Sequence, residues 1–284
     1  MVSHTLFYLR RYFGQVVITI VLLIGGLMIV APIWWMFASS FRSIMDTFGA
    51  AKPQWWITNF EFSNYIAVLN RVPILRFMAN SFKISSIVVL CQMITSSMAA
   101  YAFGRLRFPG KQGLLAVMLS PLMIPPQVTI IPLFIILRNL GWIDTHKALI
   151  VPLLSSAFGI FLIRQYFMSI PVELEDAARV DGANEFQIFL LVMLPLIKPG
   201  LVSFGIFNFM YYWNDYFRPL IFLNTLDKMT VPLGMSLLKG YLGMGSLAWV
   251  MAGVSVAVIP VIIVFLFAQR YFVEGITMTG LKEG

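Results

Sequence analysis

The chain has 284 residues, of which 60% are hydrophobic and only 11% charged, with a formal net charge of +8. A soluble globular chain is nearer half apolar and a quarter charged, so this composition excludes an ordinary soluble domain and expects lipid around it. The positive charge does not indicate a nucleic-acid surface, because the basic residues are scattered singly between apolar runs and form no stripe.

Six apolar stretches approach the ~20 residues that a helix needs to cross the hydrocarbon core. They lie near Val16–Ala38, Ile84–Phe103, Gly113–Leu137, Ala148–Phe167, Pro199–Phe222 and Leu247–Ala268. The expected fold class is therefore an all-α membrane protein with six transmembrane helices. Arg10 and Arg11 precede the first stretch, which is longer than the apolar core of a secretory signal and lacks a small-residue cleavage site. It reads as a retained span. The loop that follows carries Pro53, Trp55, Trp56 and the pair Asn64-Tyr65. The connection Ser39–Ala79 is too short and too mixed to be an independent domain.

The second span is rich in small residues, among them Ser81, Ser85, Ser86, Ser96, Ser97, Ala99 and Ala100, which let helices approach closely in lipid. It also holds Cys91, the single cysteine, so no intramolecular disulfide can form. The link from Arg105 to Lys111 combines a Pro-Gly turn with three positive charges and fits a cytoplasmic hairpin. The third span contains Pro121, Pro125, Pro126 and Pro132, each of which removes a backbone donor. Two readings stay open: a broken helix lining a cavity, or a kink that serves packing.

The fourth span runs to Arg164-Gln-Tyr-Phe167, and the fifth is the least lipid-like. The fifth carries Asn208, Tyr211, Tyr212, Trp213, Asn214, Asp215 and Arg218. Ionisable groups at membrane depth face a bundle interior or an aqueous path, unless they sit at the interface. Asp215 and Arg218 are three apart and can pair on a helix. Gln127, Tyr211, Tyr212, Trp213, Asn214 and Asp215 are the polar and aromatic candidates for lining an aqueous path, with packing or interface roles as the alternative.

The charge distribution barely orients the spans, since Lys and Arg occur on both sides. Tryptophan helps more. With both termini cytoplasmic, Trp34, Trp35, Trp55, Trp56, Trp142, Trp213 and Trp249 all lie in outer loops or outer halves of spans.

Between spans four and five lies a polar, acidic island, Glu173-Leu-Glu-Asp-Ala-Ala-Arg-Val-Asp-Gly-Ala-Asn-Glu-Phe-Gln187, closed by Leu194-Pro195. Pro171 suits the first position of a helix. Glu173, Glu175 and Asp176 then fall in its first turns, where negative charge complements the helix dipole. Ala177 and Ala178 offer a nearly flat surface, and Gly182 permits the bend that ends the helix. Asn184 is placed to cap a second helix, with Gln187 reaching back. The product is a helix–bend–helix lying on the membrane surface. A push on it is delivered directly to spans four and five.

The order Asp176-Ala177-Ala178, Gly182, Val192, Leu194-Pro195 resembles the EAA loop of binding-protein-dependent ABC importer permeases. Three further stretches look like the carbohydrate type of that family: Pro125–Pro132, Trp213–Tyr216 and Gln269–Ile276. So does Ala99–Arg105 with Phe108-Pro-Gly110. Asp176 stands where the family usually has Glu, which keeps the charge and shortens the reach by a methylene. The resemblance implies a type I importer transmembrane domain with both termini cytoplasmic in a prokaryotic plasma membrane. It implies a permease subunit paired with a second permease as a heterodimer, two ATP-binding subunits and an extracytoplasmic sugar-binding protein. Its coupling residues would be Glu173, Glu175, Asp176, Ala177, Ala178, Asp181, Gly182, Glu185, Phe186, Leu194 and Pro195. It divides the chain into an N-terminal span and outer loop at 1–75, a permease core at 76–270 and a cytoplasmic tail at 271–284.

No chemistry is expected of the chain itself. Its two histidines, His4 and His146, lie outside the apolar spans, and it has no His-Glu-x-x-His zinc motif and no Gly-x-x-x-x-Gly-Lys-Ser/Thr loop. No catalytic residue, metal or bound cofactor is expected on this chain, and ATP and Mg belong to the partner ATPases. The alternative is a secondary transporter or facilitator that works without an ATPase. Against it stands the lack of a clear internal repeat or intramembrane relay.

Overall fold

The computed structural model describes residues 2–43, 55–57, 60–240 and 247–280, and these are mostly helical, with no strand among them. Pro53 of the predicted outer loop and residues 281–284 of the predicted tail lie outside the described residues. The chain divides into two compact units, Met1–Val72 with Leu237–Val256, and Pro73–Ser236 with Ala257–Gly284. Among the described residues, four helical stretches are long and apolar enough to cross a membrane: Gly14–Ser40, Ile74–Gly104, Lys147–Ser169 and Leu247–Phe267. Two bent pairs, Lys111–Met123 with Pro126–Asn139 and Glu185–Leu196 with Lys198–Trp213, bring the number to six when each counts as one span.

In the first unit, α1 (Val2–Ser40) continues well before the apolar run that predicts it. Its side chains from Val16 to Val30 are almost all exposed, as a surface that meets lipid or another subunit must be. Among its described side chains, only those of Ala38, Ser39 and Ser40 are buried. There Ser40 Oγ lies 2.7 Å from Tyr65 Oη, and Asn64 Nδ2 donates to the Ser40 and Arg42 carbonyls at 3.0 and 2.7 Å. Asn64 and Tyr65 both belong to α2 (Ser63–Arg71).

The second unit is organised on α3 (Ile74–Gly104). Its apolar part predicts a start at Ile84, but the helix begins ten residues earlier. The polar residues of that turn find partners, Arg76 pairing with Asp227 at 2.6 Å and Asn80 Nδ2 donating to the Asp227 and Met229 carbonyls, both at 2.9 Å. The predicted third span is broken rather than gently kinked. It consists of α4 (Lys111–Leu119), a 3₁₀ turn (Ser120–Met123) and α5 (Pro126–Asn139), with a 100° turn between the halves. Ile124 and Pro125 are extended there, because the residue before a proline avoids the helical region.

The predicted fourth span is also interrupted. After α6 (Lys147–Ile150) and a 3₁₀ turn (Val151–Leu153), the chain restarts as α7 (Ala157–Ser169). The carbonyls freed by this break need donors, since water is absent at membrane depth. α3 supplies them: Gln92 Nε2 donates to Leu153 O at 2.7 Å and Thr95 Oγ1 to Leu154 O at 2.8 Å. Ser156 caps the restart by accepting from Gly159 N at 3.0 Å. Gly159 also lets this turn approach closely, because a Cβ there would lie 2.6 Å from both Phe204 Cζ and Ser96 Oγ.

At the other end of α5, the short turn before α6 is held by Asp144, whose backbone is left-handed with φ 58°. Its carboxylate accepts from the Asn224 and Thr225 amides, both at 2.9 Å, from the Thr225 hydroxyl and from Lys228 Nζ at 2.9 Å. These donors, the Thr225 hydroxyl first, hold the Asp144 carboxyl well below the usual carboxylate range.

Candidate functional site

The acidic island forms α8 (Glu173–Val180), a bend at Asp181–Ala183, and a second helical run that opens as α9 (Glu185–Gln187). Pro171 does not occupy the first helical position. Val172 is the cap residue, and its carbonyl accepts from Glu175 N and Asp176 N, so the proline lies just outside. The helix ends as the glycine predicts. Gly182 has φ +85°, its amide donates to Arg179 O, and the Ala183 amide donates to Ala178 O, both at 3.0 Å. This pair of bonds is the Schellman arrangement, which satisfies the last carbonyls of a helix.

The restart is equally local. Asn184 Oδ1 accepts from Gln187 N and Gln187 Oε1 accepts from Asn184 N, each at 2.9 Å, forming a capping box. The run then passes through a π-helical segment (Ile188–Met193) into α10 (Leu194–Leu196). It turns by 74° into α11 (Lys198–Trp213). Ile188, Phe189 and Met193 are buried with Ala100 and Tyr101 of α3, Ile163 and Phe167 of α7, and Phe204 of α11. That cluster holds the loop's second half against three spans. Leu194 packs on the same cluster, while Pro195 is exposed at the turn.

Electrostatics divides the carboxylates into two groups. Glu175 is 2% exposed and points into the chain, its Oε1 2.9 Å from Arg105 Nε, with Arg179 Nη2 at 3.4 Å from Oε2. It therefore departs from the expectation for a contact residue, because its own chain already covers it. Arg179 collects the rest, with Asp176 at 2.9 Å and Glu185 at 3.1 Å. Its bond to Glu185 holds the guanidinium above its ordinary value. Tyr101 Oη donates to Glu185 Oε2 at 3.0 Å, and Arg105 also donates to the Ile170 carbonyl.

Ala178 likewise turns inward onto the core cluster, so the flat surface is smaller than the paired alanines predict. The face that remains open carries Glu173, Asp176, Ala177, Val180, Asp181, Gly182 and Phe186. Val180 is 88% and Phe186 64% exposed, two apolar side chains among acids. A surface of this kind suits a partner groove with an apolar floor and a basic rim. Arg105, Tyr101, Arg179 and Val180 were not among the candidate site residues, although they lie in stretches that the sequence marked. Arg179 had a signal, standing three and four residues from two acids on one helix. Arg105 and Tyr101 had none, because their partners are 65 to 84 residues away.

The candidates for solute contact converge only in part: Tyr212 and Asp215 line one small cavity and Tyr211 meets Tyr212 edge-on at 5.1 Å, whereas Gln127 and Asn214 are not among its lining residues. Gln127 is exposed in the first turn of α5, and Asn214 is exposed with its amide turned back onto Met210 O at 2.8 Å. Tyr211 is exposed beneath the Arg218 guanidinium, 5.9 Å from its ring centre. Asp215 pairs with Arg218 at 3.0 Å, as their spacing predicts. Tyr212 accepts from Gln92 Nε2 at 2.7 Å. Trp213 is a correction. It is 2% exposed and stacks on Phe209 at 5.8 Å, so it packs the bundle and is closed to a passing solute. The helix also ends there, and α12 (Phe217–Phe222) starts separately instead of continuing the fifth span.

A family model described as "Binding-protein-dependent transport system inner membrane component" matches residues 92–278. The probable ABC transporter permease protein YurM of Bacillus subtilis (strain 168) is 33% identical over 278 residues, covering 96% of this chain and 90% of that protein. The arabinooligosaccharides transport system permease protein AraQ of Halalkalibacterium halodurans is 36% identical over 203 residues, 72% of each chain. Among solved structures, a chain of a bacterial ABC transporter involved in the import of the acidic polysaccharide alginate superposes with a TM-score of 0.78 at 30% identity. The match covers 92% of this chain and 97% of that one.

Proposed function

The chain belongs to the family of binding-protein-dependent transport system inner membrane components, and from that premise we propose how it is coupled and what it carries. It is a multi-pass permease subunit of an ATP-driven importer. The cargo is a sugar or oligosaccharide, delivered by an extracytoplasmic binding protein. The chain forms half of the translocation path with a second permease, and two partner subunits bind ATP and Mg and hydrolyse the nucleotide. Both termini are cytoplasmic, residues 76–270 form the permease core and 271–284 the tail.

The coupling element is the loop from Glu173 to Pro195. The single observation that carries this reading is its open face, where Val180 and Phe186 stand out between Glu173, Asp176 and Asp181 on a doubly capped helix pair. An exposed apolar patch rimmed by polar groups marks an interaction surface, and Val180 and Phe186 are read as such a patch here. Asp176, with one oxygen partnered by Arg179, keeps carboxylate capacity for a basic group of the ATPase. Glu175 acts from inside by fixing the helix. Closure of the ATPase pair draws the coupling loops together and turns the spans outward, and reopening reverses the motion. Gln127, Tyr211, Tyr212, Asn214 and Asp215 remain the proposed path residues.

The test is to purify the tagged chain in mild detergent and identify what accompanies it. A P-loop ATPase and a second six-span permease are expected, and the ATPase is expected to be lost when Asp176, Val180 and Phe186 are changed together to Ala, Ser and Ser. A chain that purifies alone, and moves solute in liposomes without ATP, would overturn the reading in favour of a secondary transporter.

A further inference from the structure

The loop is fastened most directly to a span that is distant from it in sequence. Arg105, the first residue after α3, lies 2.9 Å from Glu175, and the two side chains are only 11% and 2% exposed. The same guanidinium holds the carbonyl of Ile170. One turn earlier, the nearly buried Tyr101 donates to Glu185 at 3.0 Å. Its ring meets Phe167 edge-on at 5.7 Å and tilts against Phe189 at 5.3 Å. Arg179 touches both Glu175 and Glu185, so the two attachment points belong to one network. One attachment lies before the Gly182 bend and one after it.

Two ties straddling a bend constrain rotation as well as translation. Resting on the coupling-loop reading above, we propose that Arg105 and Tyr101 are positioning residues that yoke α3 to the loop. α3 then moves with α8 when the partner ATPases close. The consequence reaches the membrane interior. α3 also carries Gln92 and Thr95, which hold the Leu153 and Leu154 carbonyls at the break in the fourth span, and Gln92 bonds Tyr212. A displacement of α3 carries the break and Tyr212 with it.

The test uses the assembled importer in nanodiscs, with Cys91→Ser and nitroxide labels on cysteines introduced at Leu174 in α8 and Arg107 beyond α3. The probe is ATP with vanadate against the nucleotide-free complex, read as a distance distribution between the labels. In the otherwise unaltered chain the distribution stays narrow and unmoved by nucleotide. With Glu175→Gln and Tyr101→Phe together it widens roughly twofold or more and shifts with nucleotide, while ATPase subunits still co-purify. Arg105→Lys alone, which keeps the charge beside Glu175, leaves the distribution nearly as narrow as in the unaltered chain. If the double variant fails to assemble, Tyr101→Phe alone decides, since it removes one oxygen and keeps the packing of the ring. A merely structural role lowers the yield but leaves the distribution of assembled complexes as narrow as before, and that result overturns the proposal. Absence of ATPase subunits from the unaltered labelled complex overturns the coupling-loop reading itself.

Discussion

Glu175 and Asp176 are adjacent in sequence and face opposite ways: Glu175 is 2% exposed against Arg105, while the Asp176 side chain is 63% exposed. The two substitutions should therefore separate. Asp176→Ala removes an exposed pair with Arg179 that contributes at most about 1 kcal/mol, so the thermal midpoint changes little while ATPase co-purification falls. Glu175→Ala strands the Arg105 charge in a closed site and destabilises by about 3–5 kcal/mol. Thermal unfolding in detergent, run beside a pull-down of the ATPase, checks both. Equal effects of the two changes on stability would sink the assignment.

Gly182 makes the bend of the loop, at φ +85° with no atom within 4 Å of where a Cβ would stand. Gly182→Val forces a branched side chain into the left-handed region at a local cost of about 1–2 kcal/mol or relocates the bend. The expected outcome is a complex that inserts and hydrolyses ATP but imports sugar poorly. Sugar uptake and ATP hydrolysis measured on the same proteoliposomes decide it, and unchanged uptake counts against a coupling role for the bend.

The Asp144 turn supplies a pH dependence. Its carboxyl is held below the usual range by the Thr225, Asn224 and Lys228 donors. The associated stability is fully present above the unfolded value of about 4, and it is lost as pH falls through the lowered folded value. Asp144→Asn should destabilise by about 1–3 kcal/mol at neutral pH. The gap between variant and parent should begin to narrow below about pH 4 and close only as pH falls through the lowered folded value. Unfolding midpoints across that range are the measurement, and a gap independent of pH would refute the role.

Close packing of the fourth span is tested at Gly159. A methyl group there meets Phe204 and Ser96 at 2.6 Å. Gly159→Ala should cost about 1–3 kcal/mol through overpacking, and adding Ser96→Gly should recover part of it. Denaturant titration of the reconstituted chain reads the cycle, and additive effects would show that the two sites do not meet.

The loop's own shape was legible because every bond that makes it is local. Asn184 and Gln187 are three residues apart, and Gly182 and Ala183 close the helix onto Arg179 and Ala178. The count of apolar stretches was legible too, since a membrane helix satisfies its backbone within its own segment. The breaks were only partly so. Prolines announced the one at Ile124–Pro125, but nothing local announced that Gln92 and Thr95 would satisfy the carbonyls of a second break some sixty residues on.

By itself the sequence determined a six-span helical chain with a capped, acidic loop, because hydrophobic length, proline, glycine and capping residues act within a few positions of themselves. Which carboxylates of that loop face outward, and which span the loop grips, only the tertiary structure decided. Glu175 carries the same chemistry as its exposed neighbours, and it is buried because Arg105, seventy residues earlier in the chain, is brought against it by the packing of α3.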